Sequence, residues 1–186
     1  MACRGAGGEE RWRGDGEGCV AARTCAAGTA SRCSALVGLV RAGEQIVSAS
    51  SIYGGTNTRL AIRRPRIGME STIVETEDPA DFEKAIRPNT KAIFLEALPN
   101  PQLNLLDIEA IAEIAHRHGI PLIVDNTVAT PALLRPIDHG ADIVTYSLPK
   151  YMQGHGTTMG GAVIDSGRFD WRPSGRFPGF PNRDPA

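Results

Sequence analysis

Two ionisable residues stand where chemistry is easiest to arrange. Asp125 closes the uncharged apolar run 120–124, and Lys150 follows a second apolar run, residues 141–147, across the short stretch S-L-P-K-Y. In parallel α/β sheets ligands bind beyond the carboxyl ends of the strands, so an acid and an amine at two such ends converge on one ligand. Such a pair serves either as a buried ion pair or as the holder of a cofactor that needs both groups. Pyridoxal phosphate is a cofactor of that kind: a lysine amine forms its Schiff base, and a carboxylate keeps its ring nitrogen protonated so that electrons from a substrate carbanion have a destination.

That chemistry also calls for a flat partner for the ring and donors for a phosphate. Tyr53, in S-I-Y-G-G-T, falls on a loop after a strand, and Gly54 and Gly55 let the backbone there turn sharply or approach a ligand closely. A half-buried loop aromatic is the plain alternative for Tyr53. Asn100 lies between two prolines in the irregular loop A-L-P-N-P-Q, directly after the strand-like run 91–96. His116 and His118 are two residues apart on a helix and face different ways, so they read as a polar helix end and not as a metal pair.

The elements that must position these residues alternate. An apolar helix is expected from Ser34, stopped at Gly43, followed by a strand at 45–49. Pro65 should end or kink a helix among Arg63, Arg64 and Arg66, a cluster read as a solvated face. A strand at 71–75 leads to a helix capped by Asp78 with Pro79 at its first position, running to about Arg87. Ile108, Ile111, Ala112 and Ala115 then mark one face of a helix capped by Asp107 and stopped by Gly119. With the runs at 120–124, 141–147 and 162–165, this alternation predicts a three-layer α/β/α fold around a mainly parallel sheet.

Composition narrows the function classes. The 186 residues are 41% hydrophobic and 22% charged, enough for one domain, and the net charge of -1 gives no long-range attraction to nucleic acid or anionic membrane. No apolar run approaches the roughly 20 residues that span a bilayer, so the expected location is the cytoplasm. Cys3, Cys19, Cys25 and Cys33 form no C-x-x-C pair and have no histidine nearby, and are expected as free thiols; no metal site is expected. Residues 1–23, rich in Gly, Arg and Glu, are expected to be disordered, and Arg13-Gly14-Asp15 within them gets no function. The organisation read from the sequence is that segment, a partial domain over 24–170, and an irregular, truncated tail over 171–186.

The segments S-I-Y-G-G-T, K-A-I-F-L-E-A-L-P-N-P, I-V-D-N-T-V-A-T-P, R-P-I-D-H-G-A-D-I-V, S-L-P-K-Y and G-G-A-V-I-D-S-G-R-F-D-W resemble, in order and spacing, the cysteine and methionine metabolism family of pyridoxal-phosphate enzymes. The resemblance covers about residues 34–180 and implies the incomplete large domain of a fold type I transferase. It implies pyridoxal 5'-phosphate as cofactor, Lys150 as Schiff-base lysine and proton shuttle, Asp125 facing the pyridine nitrogen, and Tyr53 stacked on the ring and assisting proton transfer. It further implies Asn100 near the ring hydroxyl, Thr127 beside the ring, Ser147 on the phosphate, and Gly28 and Thr29 in the phosphate loop. Pro149 stands where the family usually has threonine, and removes a hydroxyl and an N–H.

G-H-G-T-T-M-G-G and F-D-W-R-P-S-G-R-F-P-G-F are most similar to the O-acetylhomoserine sulfhydrylase branch. The implied reaction is γ-replacement on O-acetyl-L-homoserine with sulfide, giving homocysteine and acetate, in a homo-oligomer that shares sites between subunits. Cystathionine γ-synthase or γ-lyase chemistry is the alternative within the family. A non-catalytic fragment or interaction module is the alternative outside it.

Overall fold

Strands β4 (Thr90–Glu96) and β5 (Leu122–Asp125) show why a sheet forms. Residues 92–95 and 122–124 are fully buried, and a strand apolar on both sides is stable only when both faces of its sheet are covered. They lie inside a seven-stranded sheet of order β1-β7-β6-β5-β4-β2-β3, with β1 at Ala21–Cys25, β2 at Gln45–Ala49, β3 at Glu70–Val74, β6 at Ile143–Ser147 and β7 at Gly161–Asp165. Strands β2 to β6 pair in parallel, and β7 runs antiparallel to β6 and β1. The computed structural model describes residues 20–172 and 174–178.

The helices are α1 (Gly28–Leu39), α2 (Gly54–Thr58), α3 (Pro79–Ala85), α4 (Ile108–Arg117) and α5 (Thr130–Leu133). From β1 through β3 the chain moves along the sheet in one direction, and from β3 to β6 in the other. Right-handed crossovers therefore put α1 and α2 on one face and α3 and α4 on the other, the three-layer arrangement expected. Local chemistry sets the helix ends. The Asp107 carboxylate accepts from Ala110 N at 3.0 Å to start α4, and Gly119, at φ +65°, takes the left-handed turn that stops it. Asp78 caps α3 in the same way, accepting from Ala80 N at 2.9 Å.

Several boundaries differ from the sequence reading. The helix expected from Ser34 begins at Gly28, and Gly43, at φ +82°, lies past its end in the turn into β2. Strand β1 begins at Ala21, so the boundary placed at residue 23 runs through a strand that pairs from Ala21–Asp165 to Cys25–Gly161. The readings that concern residues 1–19, including disorder, Cys3, Cys19 and Arg13-Gly14-Asp15, lie outside the described residues, while Cys25 and Cys33 are free. Arg64 departs from the solvated face: it is buried, with its guanidinium at Cys33 Sγ, 3.3 Å, and Met69 Sδ, 3.4 Å.

Described residues beyond 170 pack on the domain. Arg176 Nη1 donates to the carbonyls of Arg87, Pro88 and Thr90 at 3.2, 3.0 and 2.8 Å, and Trp171 and Phe177 meet edge to face with centroids 5.1 Å apart. Phe177 is buried in the main core. The described tail is thus fastened to the amino end of β4.

Candidate active site

Register brings two acids side by side. Glu96 ends β4 and Asp125 ends β5, and the two are paired partners across the parallel ladder. The Asp125 carboxylate is buried and crowded with donors: Oδ1 accepts from Thr127 N at 3.0 Å, and Oδ2 from Arg32 Nη1 at 3.0 Å and Thr145 Oγ1 at 3.2 Å. Thr127 Oγ1 in turn accepts from Ser147 N at 2.8 Å, tying the loop after β5 to the end of β6. Asp125 is consequently fixed in rotamer and direction before any ligand arrives.

Lys150 follows β6 in a turn closed by Lys150 N donating to Ser147 O at 3.3 Å. Pro149 leaves that turn intact, because the donors used there are Leu148 N to Gly160 O and Lys150 N. The ammonium reaches back to 4.6 Å from the centroid of the Tyr53 ring, and the Arg32 guanidinium carbon lies 5.5 Å from the same centroid. Tyr53 sits just before α2, and Gly55 is what lets its ring lie flat there: a Cβ on Gly55 would meet Tyr53 Cε1 at 2.6 Å.

Glu96 holds the Tyr53 segment, its Oε1 accepting from Tyr53 N at 2.8 Å. Burial, and then the charge of Asp125, push the Glu96 carboxyl up to about 7, against the opposing pull of the Tyr53 N–H, Arg32 and Lys150. Around these groups lies a cavity of about 270 Å³ lined by Arg32, Tyr53, Glu96, Asn100, Asp125 and Lys150, together with Thr127 and the apolar residues Leu98, Val128 and Leu103. Five of the residues singled out from sequence, Tyr53, Asn100, Asp125, Thr127 and Lys150, therefore share one pocket.

Gly28, Thr29 and Ser147 lie beside it and not in its lining. α1 starts hard against β6: a Cβ on Gly28 would come within 2.3 Å of Ser147 Cβ. Its first turn carries no acid and its N-cap is Ala27, which has no side-chain acceptor, so the helix end presents uncapped N–H groups suited to an anion. Thr29 is exposed at that end. Ser31 Oγ bonds Gly28 O at 2.8 Å and Tyr146 O at 3.0 Å, which bolts the turn to the sheet.

Arg32 and Glu96 are the residues the sequence reading passed over. A helix expected from Ser34 leaves Arg32 outside it by two residues; from Gly28 the buried stripe Gly28, Ser31, Arg32, Ala35, Leu36 and Leu39 has helical period and contains one charge, which is the signal for Arg32. A second cavity is larger, about 550 Å³, and lies at the opposite ends of the strands, with His116, Asp142, Arg168 and Phe169 in its wall. Its polar groups are already engaged, His116 Nε2 with Asp142 Oδ2 at 2.9 Å and Arg168 Nη1 with Ile137 O at 2.8 Å, so the smaller pocket with its converging lysine and acids is the chemical one.

A mainly parallel three-layer fold brings a lysine, an aspartate and an aromatic ring into one pocket beyond the strand ends, with an uncapped helix N-terminus beside it, the kinds of group that pyridoxal phosphate uses. Residues 15–178 match the family described as Cys/Met metabolism PLP-dependent enzyme, and the chain belongs to that family. It is 48% identical over 168 residues to homocysteine synthase of Schizosaccharomyces pombe, covering 89% of this chain and 39% of the relative. It is 44% identical over 170 residues to O-acetyl-L-homoserine sulfhydrylase of Leptospira meyeri, covering 91% and 38%. A Campylobacter jejuni structure assigned as an O-acetylhomoserine (thiol)-lyase, which carries N'-pyridoxyl-lysine-5'-monophosphate, superposes with a TM-score of 0.84 at 40% identity, over 87% of this chain and 40% of that one. The chain spans about two fifths of the length of these relatives.

Proposed function

We propose that this chain carries the cofactor-binding part of an O-acetylhomoserine sulfhydrylase, which replaces the γ-acetoxy group of O-acetyl-L-homoserine with sulfide to give homocysteine and acetate. The observation that carries the reading is the Lys150 ammonium 4.6 Å over the Tyr53 ring, in a pocket that the buried Asp125 also lines. The activities for which the relatives are named supply the substrate.

The residues fit pyridoxal phosphate in kind and placement. Lys150 would hold it covalently, Asp125 would face the ring nitrogen, Tyr53 would offer its flat face, and the uncapped start of α1 at Gly28 and Thr29, with Ser147, would hold the phosphate. Asn100 and Thr127 complete the wall. Bound there, the cofactor supplies an electron sink for the carbanion next to the substrate nitrogen.

The chain's own groups do the remaining work. Lys150 Nζ, on a turn at the pocket mouth, is the group placed to take a proton from one substrate carbon and return it to another. Asp125, held by Thr127 N and Thr145 Oγ1, stays directed at one point without reorganising. Glu96 fixes the Tyr53 backbone, so the ring lies across Gly55 instead of rotating into the cavity. Leu103 and Tyr151, both exposed at the mouth, are apolar surface that a second subunit would cover, and they support a homo-oligomeric enzyme.

The test supplies O-acetyl-L-homoserine with sulfide or with cysteine as donor. Homocysteine from the sulfide arm supports the assignment; cystathionine from the cysteine arm, with no homocysteine, replaces it with a cystathionine synthase.

A further inference from the structure

Arg32 belongs to none of the roles above, yet it occupies the middle of the site. Its side chain is buried, it makes an ion pair with Asp125 Oδ2 at 3.0 Å, and its guanidinium carbon sits 5.5 Å from the Tyr53 ring centroid. A guanidinium is flat and cationic, and donates in its own plane while its face lies against an aromatic ring. A protonated pyridine ring has the same three properties. Asp125 as the acceptor and the Tyr53 face as the stacking surface are the two partners such a ring would use, and both are engaged by Arg32.

Resting on the pyridoxal-phosphate reading, we propose that Arg32 is an internal competitor of the cofactor ring, so that the chain loads only when the Arg32 side chain swings away from Asp125 and Tyr53. The backbone offers no other way to clear the site. Arg32 lies one turn into α1, and that turn is fixed by Ser31 Oγ to Gly28 O and Tyr146 O and by the close packing of Gly28 on Ser147. Only side-chain rotation is left, and it must break a buried pair whose side chains are 8% and 2% exposed. Asp125 does not lose its orientation when Arg32 leaves, because Thr127 N and Thr145 Oγ1 still donate to it. An open form populated at about 1–10% lowers the apparent affinity about tenfold to a hundredfold.

The experiment titrates pyridoxal 5'-phosphate into the full chain and into Arg32→Gln, following the visible band of cofactor bonded to Lys150, with thermal melts confirming that each variant is folded. Arg32→Gln should bind about tenfold to a hundredfold tighter. A folded Arg32→Gln that binds equally or more weakly overturns the competition while leaving the cofactor reading in place. No band in either chain overturns the cofactor reading and the competition together. Should Arg32→Gln fail to fold, Arg32→Lys, which keeps the charge without the planar fork, must still bind more tightly than the parent. In the parent chain itself, the Arg32 guanidinium resonances should change on loading; unchanged resonances with cofactor bound overturn the proposal.

Discussion

Gly28 and Gly38 lie on the same helix, and alanine at the two positions should act with opposite sign. At Gly28 the added Cβ would lie 2.3 Å from Ser147 Cβ and 2.6 Å from Ser147 Cα, about 1 Å inside ordinary contact, and the second of these atoms is backbone that cannot rotate away. The start of α1 or the end of β6 must shift, a strain of about 1–3 kcal/mol or more. At Gly38, exposed in the last turns, a Cβ meets nothing within 4 Å, so the gain is the lower backbone entropy of the unfolded chain, about 0.5–1 kcal/mol. Urea unfolding measures both. With a slope of about 1–3 kcal/mol per molar, Gly28→Ala should lower the midpoint by roughly 1 M and Gly38→Ala should raise it by a few tenths. Because the Gly28 contact also sets the spacing between α1 and Ser147, Gly28→Ala should weaken phosphate and cofactor binding, whereas Gly38→Ala should not. A Gly28→Ala chain as stable as the parent would refute the close approach of α1 to β6, and with it the helix-end cradle.

The two buried acid systems give pH-dependent outcomes. Glu96 is raised to about 7 from an ordinary 4.5, so its neutral form favours the fold: its contribution is fully present below about pH 4.5 and is lost as pH rises toward 7, on the order of 3 kcal/mol at most. Glu96→Gln, which keeps the acceptor for Tyr53 N, should flatten the fall in stability over that window, and an unaltered slope would show that Glu96 does not titrate there. At the other end of the sheet the hydrogen bond to Asp142 raises His116 above 6.5, so its smaller, half-exposed contribution is complete below that pH and fades as pH rises through the higher folded value. A proton resonance titration of His116 should give a midpoint above 6.5; a midpoint at or below it would contradict the pairing.

What the sequence made legible follows from which forces act locally. Strands β4 and β5 were readable because residues buried on both faces must be apolar, and Asp125 stood out because it ends such a run. The α4 boundaries were readable because Asp107 and Gly119 act within a turn of themselves. Tyr53 and Lys150 read as loop residues after strands, but nothing local says that their side chains meet; that contact depends on the register of β2, β4, β5 and β6. Arg32 was hidden for a related reason. A charge in an apolar stripe is unfavourable by itself, and only the partner Asp125, 93 residues away in the chain, makes its burial intelligible. Glu96 reads locally only as a strand end, since its bond to Tyr53 N joins segments 43 residues apart.

The central claim is that Lys150 is the residue to which pyridoxal phosphate becomes attached. Incubation of the chain with pyridoxal 5'-phosphate, reduction with borohydride and peptide mapping tests it directly. The account predicts a single stable pyridoxyl adduct on Lys150 that disappears in Lys150→Ala and is weakened in Asp125→Ala. An adduct spread over Lys84 and Lys91, or equal labelling in Lys150→Ala, would contradict it.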